Sequence, residues 1–188
     1  MSATGWKAEL RGAVKGCILI RMQDGAVTNH VRRATKGDAE GLVALNREVQ
    51  TLHAALYPDH FLLETDASAV AAFFSGILAA DGHLVAIRDG DDGPSGYIWF
   101  EVQQRAATPF TYASRRTYIH HISVRADSRR QGIASALLSW AESHSLAEGI
   151  EEILVDHWTD NNAARALFAQ SDFTRLREVR RKRLANDR

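Results

Sequence analysis

One cysteine, Cys17, and three prolines are all that 188 residues hold of the two most constraining residue types. A single thiol excludes an internal disulfide framework and any cysteine-rich metal site, and a cytoplasmic location is expected from it. Charge of one sign is not in excess either: 23 Lys and Arg balance 23 Asp and Glu. No whole-molecule field therefore draws in nucleic acid or an anionic membrane. Long apolar runs are missing too. The longest charge-free stretch, Ala67 to Ala80, is broken by Ser68, Ser75 and Gly76 and is too short to span a bilayer. The brief apolar run Cys17 to Ile20 has no cleavage-like segment after it, so no signal peptide is expected. Eight histidines occur without His-x-x-x-His spacing, and no metal is expected. No Gly-x-Gly-x-x-Gly opens a helix and no P-loop Lys-Ser/Thr pair is present, which disfavours nicotinamide and ATP.

What is there is a chain with 45% hydrophobic residues, enough for one sizeable core. Residues 1–28 carry scattered Gly12, Gly16 and Gly25; they read as a hairpin turning at Asp24-Gly25 or as a disordered extension. Val31 to Ala34 reads as a first strand. Asp38 opens a helix with Leu42, Leu45, Val49, Leu52 and Leu56 at steps of three and four, ending at Tyr57-Pro58. A second helix starts at Asp66, turns Val70, Phe73, Phe74, Ile77 and Leu78 inward, and stops at Gly82. His83–Arg88 and Ser95–Val102 read as hairpin strands about the turn-rich Asp89-Gly90-Asp91-Asp92-Gly93-Pro94. Gln103 to Arg116 reads as a loop, Tyr118 to Val124 as a strand, and Glu152–His157 as another. Asp160 is expected to cap a short helix, and Phe173–Glu178 and Val179–Leu184 read as closing strands. Their basic residues (Arg175, Arg177, Arg180, Arg181, Lys182, Arg183) fit a solvent face better than a nucleic-acid surface.

The most informative segment is Val124-Arg125-Ala126-Asp127-Ser128-Arg129-Arg130-Gln131-Gly132-Ile133-Ala134, between a strand and an amphipathic helix marked by Ile133, Leu137, Leu138, Ala141 and His144. A helix start leaves backbone N–H groups unpaired and carries a partial positive charge, so small residues such as Gly132 and Ala134 would let an anion approach. Arg129 and Arg130 add full charge. The bare turn is equally a capped, solvated helix start; the strand before it and the helix after it favour a phosphate cradle.

Ile122-Ser123-Val124 followed by Arg129-x-x-Gly132-x-Ala134 resembles the acyl-CoA-binding motif of the GNAT superfamily of N-acyltransferases, Arg/Gln-x-x-Gly-x-Gly/Ala. The resemblance runs from about Val31 to Leu184. Downstream, Asn161 and Ala164 match the superfamily's Asn-x-x-Ala, whereas Phe168 stands where many members carry tyrosine and Asp172 where they carry glycine. The resemblance implies an α/β (α+β) domain over 29–188, with a mixed, mostly antiparallel central sheet of six to seven strands flanked by about four helices. It implies acetyl-CoA as co-substrate, a small-molecule amine or peptide as acceptor, and an acetyltransferase reaction, with a homodimer allowed. Carried over residue by residue, the Val124 backbone would meet the pantetheine arm, the amides of Gln131, Gly132, Ile133 and Ala134 the diphosphate, and Asn161 the arm, with Ala164 and Phe168 beside it. His120, at the offset where arylalkylamine acetyltransferases of the superfamily have a histidine, is the candidate base. Glu101 is a second, and equally a solvated strand-end carboxylate. Strand alternation would turn one of His120 and His121 into the core. Phe168 has no hydroxyl to donate to the departing thiolate, so Tyr118 is the candidate acid, or the thiolate leaves unaided. Tyr57, His60, Trp99 and Tyr112 are the candidate acceptor contacts. The rival reading, motivated by Phe168 and Asp172, is a CoA-binding regulatory or scaffold protein of this fold with weak turnover.

Overall fold

The computed structural model describes residues 30–184; the expected hairpin about Asp24-Gly25 lies outside them. Five strands form one sheet in the order β1-β2-β3-β4-β5. These are β1 (Val31–Arg33), β2 (His83–Gly90), β3 (Gly93–Arg105), β4 (Ser114–Val124) and β5 (Ile153–Val155), with helices α1 (Ala39–Leu56), α2 (Ala67–Ala79), α3 (Ile133–Ala147) and α4 (Asn162–Gln170). The first four strands pair antiparallel, and β4 pairs β5 in parallel.

Alternation along β2 and β3 sends side chains to two separate cores. Leu84, Ala86, Ile98 and Phe100 pack with Ile119 of β4 against Ile133, Leu137, Leu138 and Ala141 of α3 and Phe168 of α4. Val85, Ile87, Tyr97 and Trp99 pack with Leu42 and Leu45 of α1 and Phe74 of α2. Being covered on both faces, β2 is buried without interruption from Leu84 to Arg88, as expected of a central strand. The start of α2 follows its cap, the Asp66 carboxylate accepting from the amides of Ser68 and Ala69, whereas α1 begins after Asp38 without a side-chain cap bond. Arg32 ties three elements together, reaching Asp38 and Asp89 at 2.7 Å each.

Gly96 on β3 sits where α3 lands on the sheet. A Cβ there would stand 2.9 Å from the Ser123 carbonyl oxygen and 3.0 Å from Ile133 Cγ2, so only glycine lets the first turn of α3 rest this close. Gly96→Ala is expected to destabilise the fold by about 1–3 kcal/mol through overpacking, measurable by chemical denaturation.

The structure departs from the sequence pattern at several points. The sheet has five described strands, not six or seven, because Phe173–Glu178 and Val179–Leu184 form no strand. Alternation makes a segment competent to pair, but a strand needs a sheet edge. Here the tail instead spends its arginines on the segment after α1, Arg181 meeting His60 and Arg183 meeting Asp59. Gln103 to Arg116 is a loop only over 106–113, since ladder pairing carries β3 to Arg105 and starts β4 at Ser114 despite the polar side chains. Phe73, expected inside, is 49% exposed, because Phe74 already fills the space over Tyr97. Asn161, not Asp160, caps α4, its side-chain oxygen accepting from the Ala164 amide at 3.0 Å.

Candidate active site

The turn after β4 has the form its sequence suggested. A single 3-10 turn over Ala126–Ser128 leads through Arg130 at φ 64° to Gly132 at φ 77°, and α3 begins. No side chain caps this helix start, and the first bond back into the turn is Ala136 N to Gly132 O. The amides of the first turn therefore face outward as donors. A Cβ at Gly132 would meet nothing within 4 Å, so the space above that backbone is open. Ile133 is buried and can offer only its amide, while Gln131 is exposed and Ala134 half-buried. Arg129 is not free to swing onto a ligand unaided: it pairs with Glu48 at 2.8 Å and donates from Nε to the Val124 carbonyl at 3.2 Å. Arg130 is exposed.

Beside the turn, β4 and β5 pair only from Thr117 to Ile119, opposite Ile153 to Val155. Among the described residues, β4 beyond Ile119 has no ladder partner on that side, leaving a backbone edge from His120 to Val124 that leads to the turn. The Ser123 hydroxyl points away from it, donating to the Leu45 carbonyl at 2.9 Å, and Ile122 and Val124 pack against the α3 core. Asn161 spends its side-chain oxygen on the α4 cap, which leaves its amide nitrogen as the group able to donate. Phe168 is a core residue, 5% exposed, stacked on His157 and meeting Phe173 edge-on.

At the head of this edge the pairing of β3 with β4 slips. Trp99 opposes His121 and Phe100 opposes Ile119, so His120 is an extra residue, a bulge. Simple alternation would send His120 and His121 to opposite faces. The bulge turns both to the α1/α2 face, where His120 stacks on the Trp99 ring at 4.2 Å and His121 meets the same ring edge-on at 5.1 Å. Burial still separates them. The Tyr97 hydroxyl donates to Asn46 Oδ1 at 3.2 Å and so takes its second bond from His121 Nδ1–H at 3.1 Å; burial pushes the His121 imidazole down to about 4. His121 is thus the satisfied core histidine.

His120 is held differently. Its Nε2 lies 3.4 Å from Glu101 Oε1, an ion-pair distance without hydrogen-bond alignment, and is otherwise buried without a partner. Its Nδ1 has no hydrogen-bond partner among the described residues. Burial holds the imidazole below its usual value, against the pull of Glu101. For Glu101, burial pushes the carboxyl up, but the donor Gln103 and the imidazoles of His120 and His83 outweigh it and keep the group below the ordinary carboxylate value. Behind it Arg116 donates to Gln103 Oε1 at 3.1 Å, fixing the amide that donates to Glu101. Tyr118 meets His120 edge-on at 5.0 Å and donates its hydroxyl to Asp156. His120, Glu101, Tyr118 and Trp99 are thus brought together.

His83 was not anticipated. It opposes Glu101 across the hairpin, with Nε2 3.3 Å from Glu101 Oε2. His83, Glu101 and His120 bring their ligand-type atoms within 4.8 Å of one another, yet the Trp99 indole N–H donates to His83 Nδ1 at 3.2 Å. A metal on Nε2 would force a proton onto Nδ1, against that N–H. The bonding suits a protonated Nε2 instead.

The other acceptor candidates stand on loops rather than on the sheet. Tyr57 and His60 gather with Phe61 around Trp158, with ring centroids 4.5, 5.4 and 5.2 Å from it, and the Tyr57 hydroxyl donates to Asp160 at 2.7 Å. Trp158, also unanticipated, joins the α1–α2 connection to the segment after β5. Tyr112 stands 96% exposed in the 106–113 loop. Among the described residues no helix is long and apolar enough to cross a membrane.

Several solved structures share this fold. A mutant of the BH1408 protein from Bacillus halodurans superposes with a TM-score of 0.79 at 18% identity, over 83% of this chain and 99% of that one. An aminoglycoside 6′-N-acetyltransferase from Acinetobacter haemolyticus gives 0.64 at 16% identity, over 84% and 99%. AAC(6′)-Iy, in complex with the bisubstrate analogue CoA-S-monomethyl-acetylneamine, gives 0.63 at 19% identity, over 84% and 98%. No curated protein matches by sequence. The acetyltransferase (GNAT) family model matches residues 42–173, a span that runs from α1 through the turn before α3 to the end of α4. On that match over well more than half of its length, the chain belongs to the GNAT acetyltransferase family.

Proposed function

We propose that the protein transfers an acetyl group from acetyl-CoA to the primary amine of a small molecule or peptide, by direct attack within a ternary complex. The observation that carries this reading is the uncapped start of α3 at the end of the unpaired β4 edge: a row of amide donors under open space, reached along a strand edge that an extended arm could follow. Family membership and the bisubstrate complex of a fold neighbour support it.

The chemistry sets a demand that the site can meet. An alkyl amine with a solution pKa near 10.4 is neutral in only about one molecule in 2,500 at pH 7, a cost of roughly 4.6 kcal/mol. Contact with Trp99 lowers that cost by desolvation, and His120 Nδ1 takes the proton as nitrogen attacks the thioester carbonyl. The carbon–sulfur bond then breaks. Tyr118 gives the thiolate a proton if it releases Asp156; otherwise the thiolate, with a pKa near 8.5, leaves as it is. Aminoglycoside acetyltransferases among the fold neighbours make polyamino small molecules the first acceptors to try.

Calorimetry with acetyl-CoA, followed by a thiol-release screen over amines and peptides, tests the reading. Saturable heat with thiol release is expected. No saturation would remove the assignment, and binding without release on any acceptor would favour the weak-turnover rival that Phe168 and Asp172 suggest.

A further inference from the structure

His83 stands between two groups whose demands leave it one tautomer. The Trp99 indole can only donate, and it does so to His83 Nδ1 at 3.2 Å. The ring proton must then sit on Nε2, which faces Glu101 Oε2 at 3.3 Å. The same carboxylate turns its other oxygen to His120 Nε2 at 3.4 Å and to the Gln103 amide. One indole thus sets a chain of polarity running from His83 through Glu101 to His120. Trp99 also stacks on His120, so the ring that selects the tautomer also packs the base.

Resting on the reading of His120 as the base, we infer that His83 is a positioning residue that engages one oxygen of Glu101 and so moderates the pull of that carboxylate on His120, with the Trp99 indole selecting the tautomer that makes this possible. His83 touches no reacting atom. Its N–H shares the Glu101 charge and so limits how strongly the carboxylate favours a protonated His120. The other groups around His120 are Tyr118 and His121 on β4, Asp156 behind Tyr118, and His53 of α1 beyond His121; Gln103 and Arg116 back Glu101 from the far side. None of them substitutes for the donor on β2.

The test is nitrogen-15 NMR of the histidine rings in the intact protein, which needs no turnover. Wild-type His83 is expected to be protonated at Nε2 and bare at Nδ1 near neutral pH. In His83→Ala the midpoint of the His120 titration is expected to rise by about half a unit to one unit as Glu101 loses its competing donor. His83→Gln, which returns an amide N–H toward Glu101, is expected to bring it back. Trp99→Phe keeps a ring under His120 but removes the selecting N–H, and His83 is expected to populate both tautomers. A wild-type His83 protonated at Nδ1 overturns the inference, as does an unmoved His120 titration in a folded His83→Ala protein; should that variant not fold, the wild-type and Trp99→Phe spectra decide. Absence of acetyl transfer by the wild type would sink the functional reading while leaving these spectra interpretable, so the two failures are separable.

Discussion

Replacing His120 by alanine is expected to lower kcat/KM for an amine acceptor by about 10² to 10⁴, the usual contribution of a general base, with the affinity for acetyl-CoA unchanged. The pH profile carries more information than the rate. A base works when neutral, and burial holds His120 below the ordinary imidazole value of 6.5. Activity should therefore rise with pH through a midpoint below 6.5. That acid limb should vanish in His120→Ala. His121 provides the control: burial holds its ring neutral down to about pH 4 and it is engaged with Tyr97, so a limb well above that value is not its own. A wild-type profile without an acid limb below 6.5, or an alanine variant that keeps the limb, removes His120 from the role. Glu101→Gln is the natural companion, since it keeps an oxygen toward His83 while removing the charge next to His120.

The second large effect lies at the other end of the β4 edge. Gly132→Val forces a β-branched residue to φ 77° and places its side chain in the open space over the α3 amides. The left-handed conformation alone costs a side-chain-bearing residue about 1–2 kcal/mol, and occlusion of the donors adds to it. Acetyl-CoA affinity is expected to fall by about 10- to 100-fold, or about 1.4–2.7 kcal/mol, read by calorimetry on protein whose melting is checked separately. Arg130→Gly separates backbone from charge. It removes a charged residue held at φ 64°, so stability should rise while affinity falls only by the contribution of one exposed arginine. If Gly132→Val binds acetyl-CoA as the wild type does, the α3 start is not where the diphosphate sits.

Much of the architecture could be read from local chemistry. Asp66 as a cap, Asp38 before α1, the hairpin about Gly90 and Gly93, and the apolar spacing from Ile133 to Ala141 are decided within a few residues of chain, where propensity and periodicity act. The open, glycine-led turn before α3 belongs with these, since a small residue at a helix start has the same consequence in any surroundings. The tail shows the limit of such reasoning. Its alternation is real, but pairing requires an edge, and the arginines find His60 and Asp59 instead.

The candidate acid–base group was legible only in part, because two register slips decide it. Counted outward from Gly90 and Gly93, His83 would oppose Phe100; the bulge between Arg88 and Asp89 moves it opposite Glu101. The bulge at His120 likewise turns two neighbouring histidines to one face, where alternation separates them. A bulge depends on how whole strands pack against helices on both sides, and no short window of residues encodes that.

The sequence by itself determined the helices, the hairpin of β2 and β3 and the glycine-led turn before α3, because these follow from contacts between residues close in the chain. Tertiary structure alone decided which histidine is buried, which faces solvent and which positions a carboxylate, because a shift of one residue in pairing moves a side chain to the opposite face of a sheet.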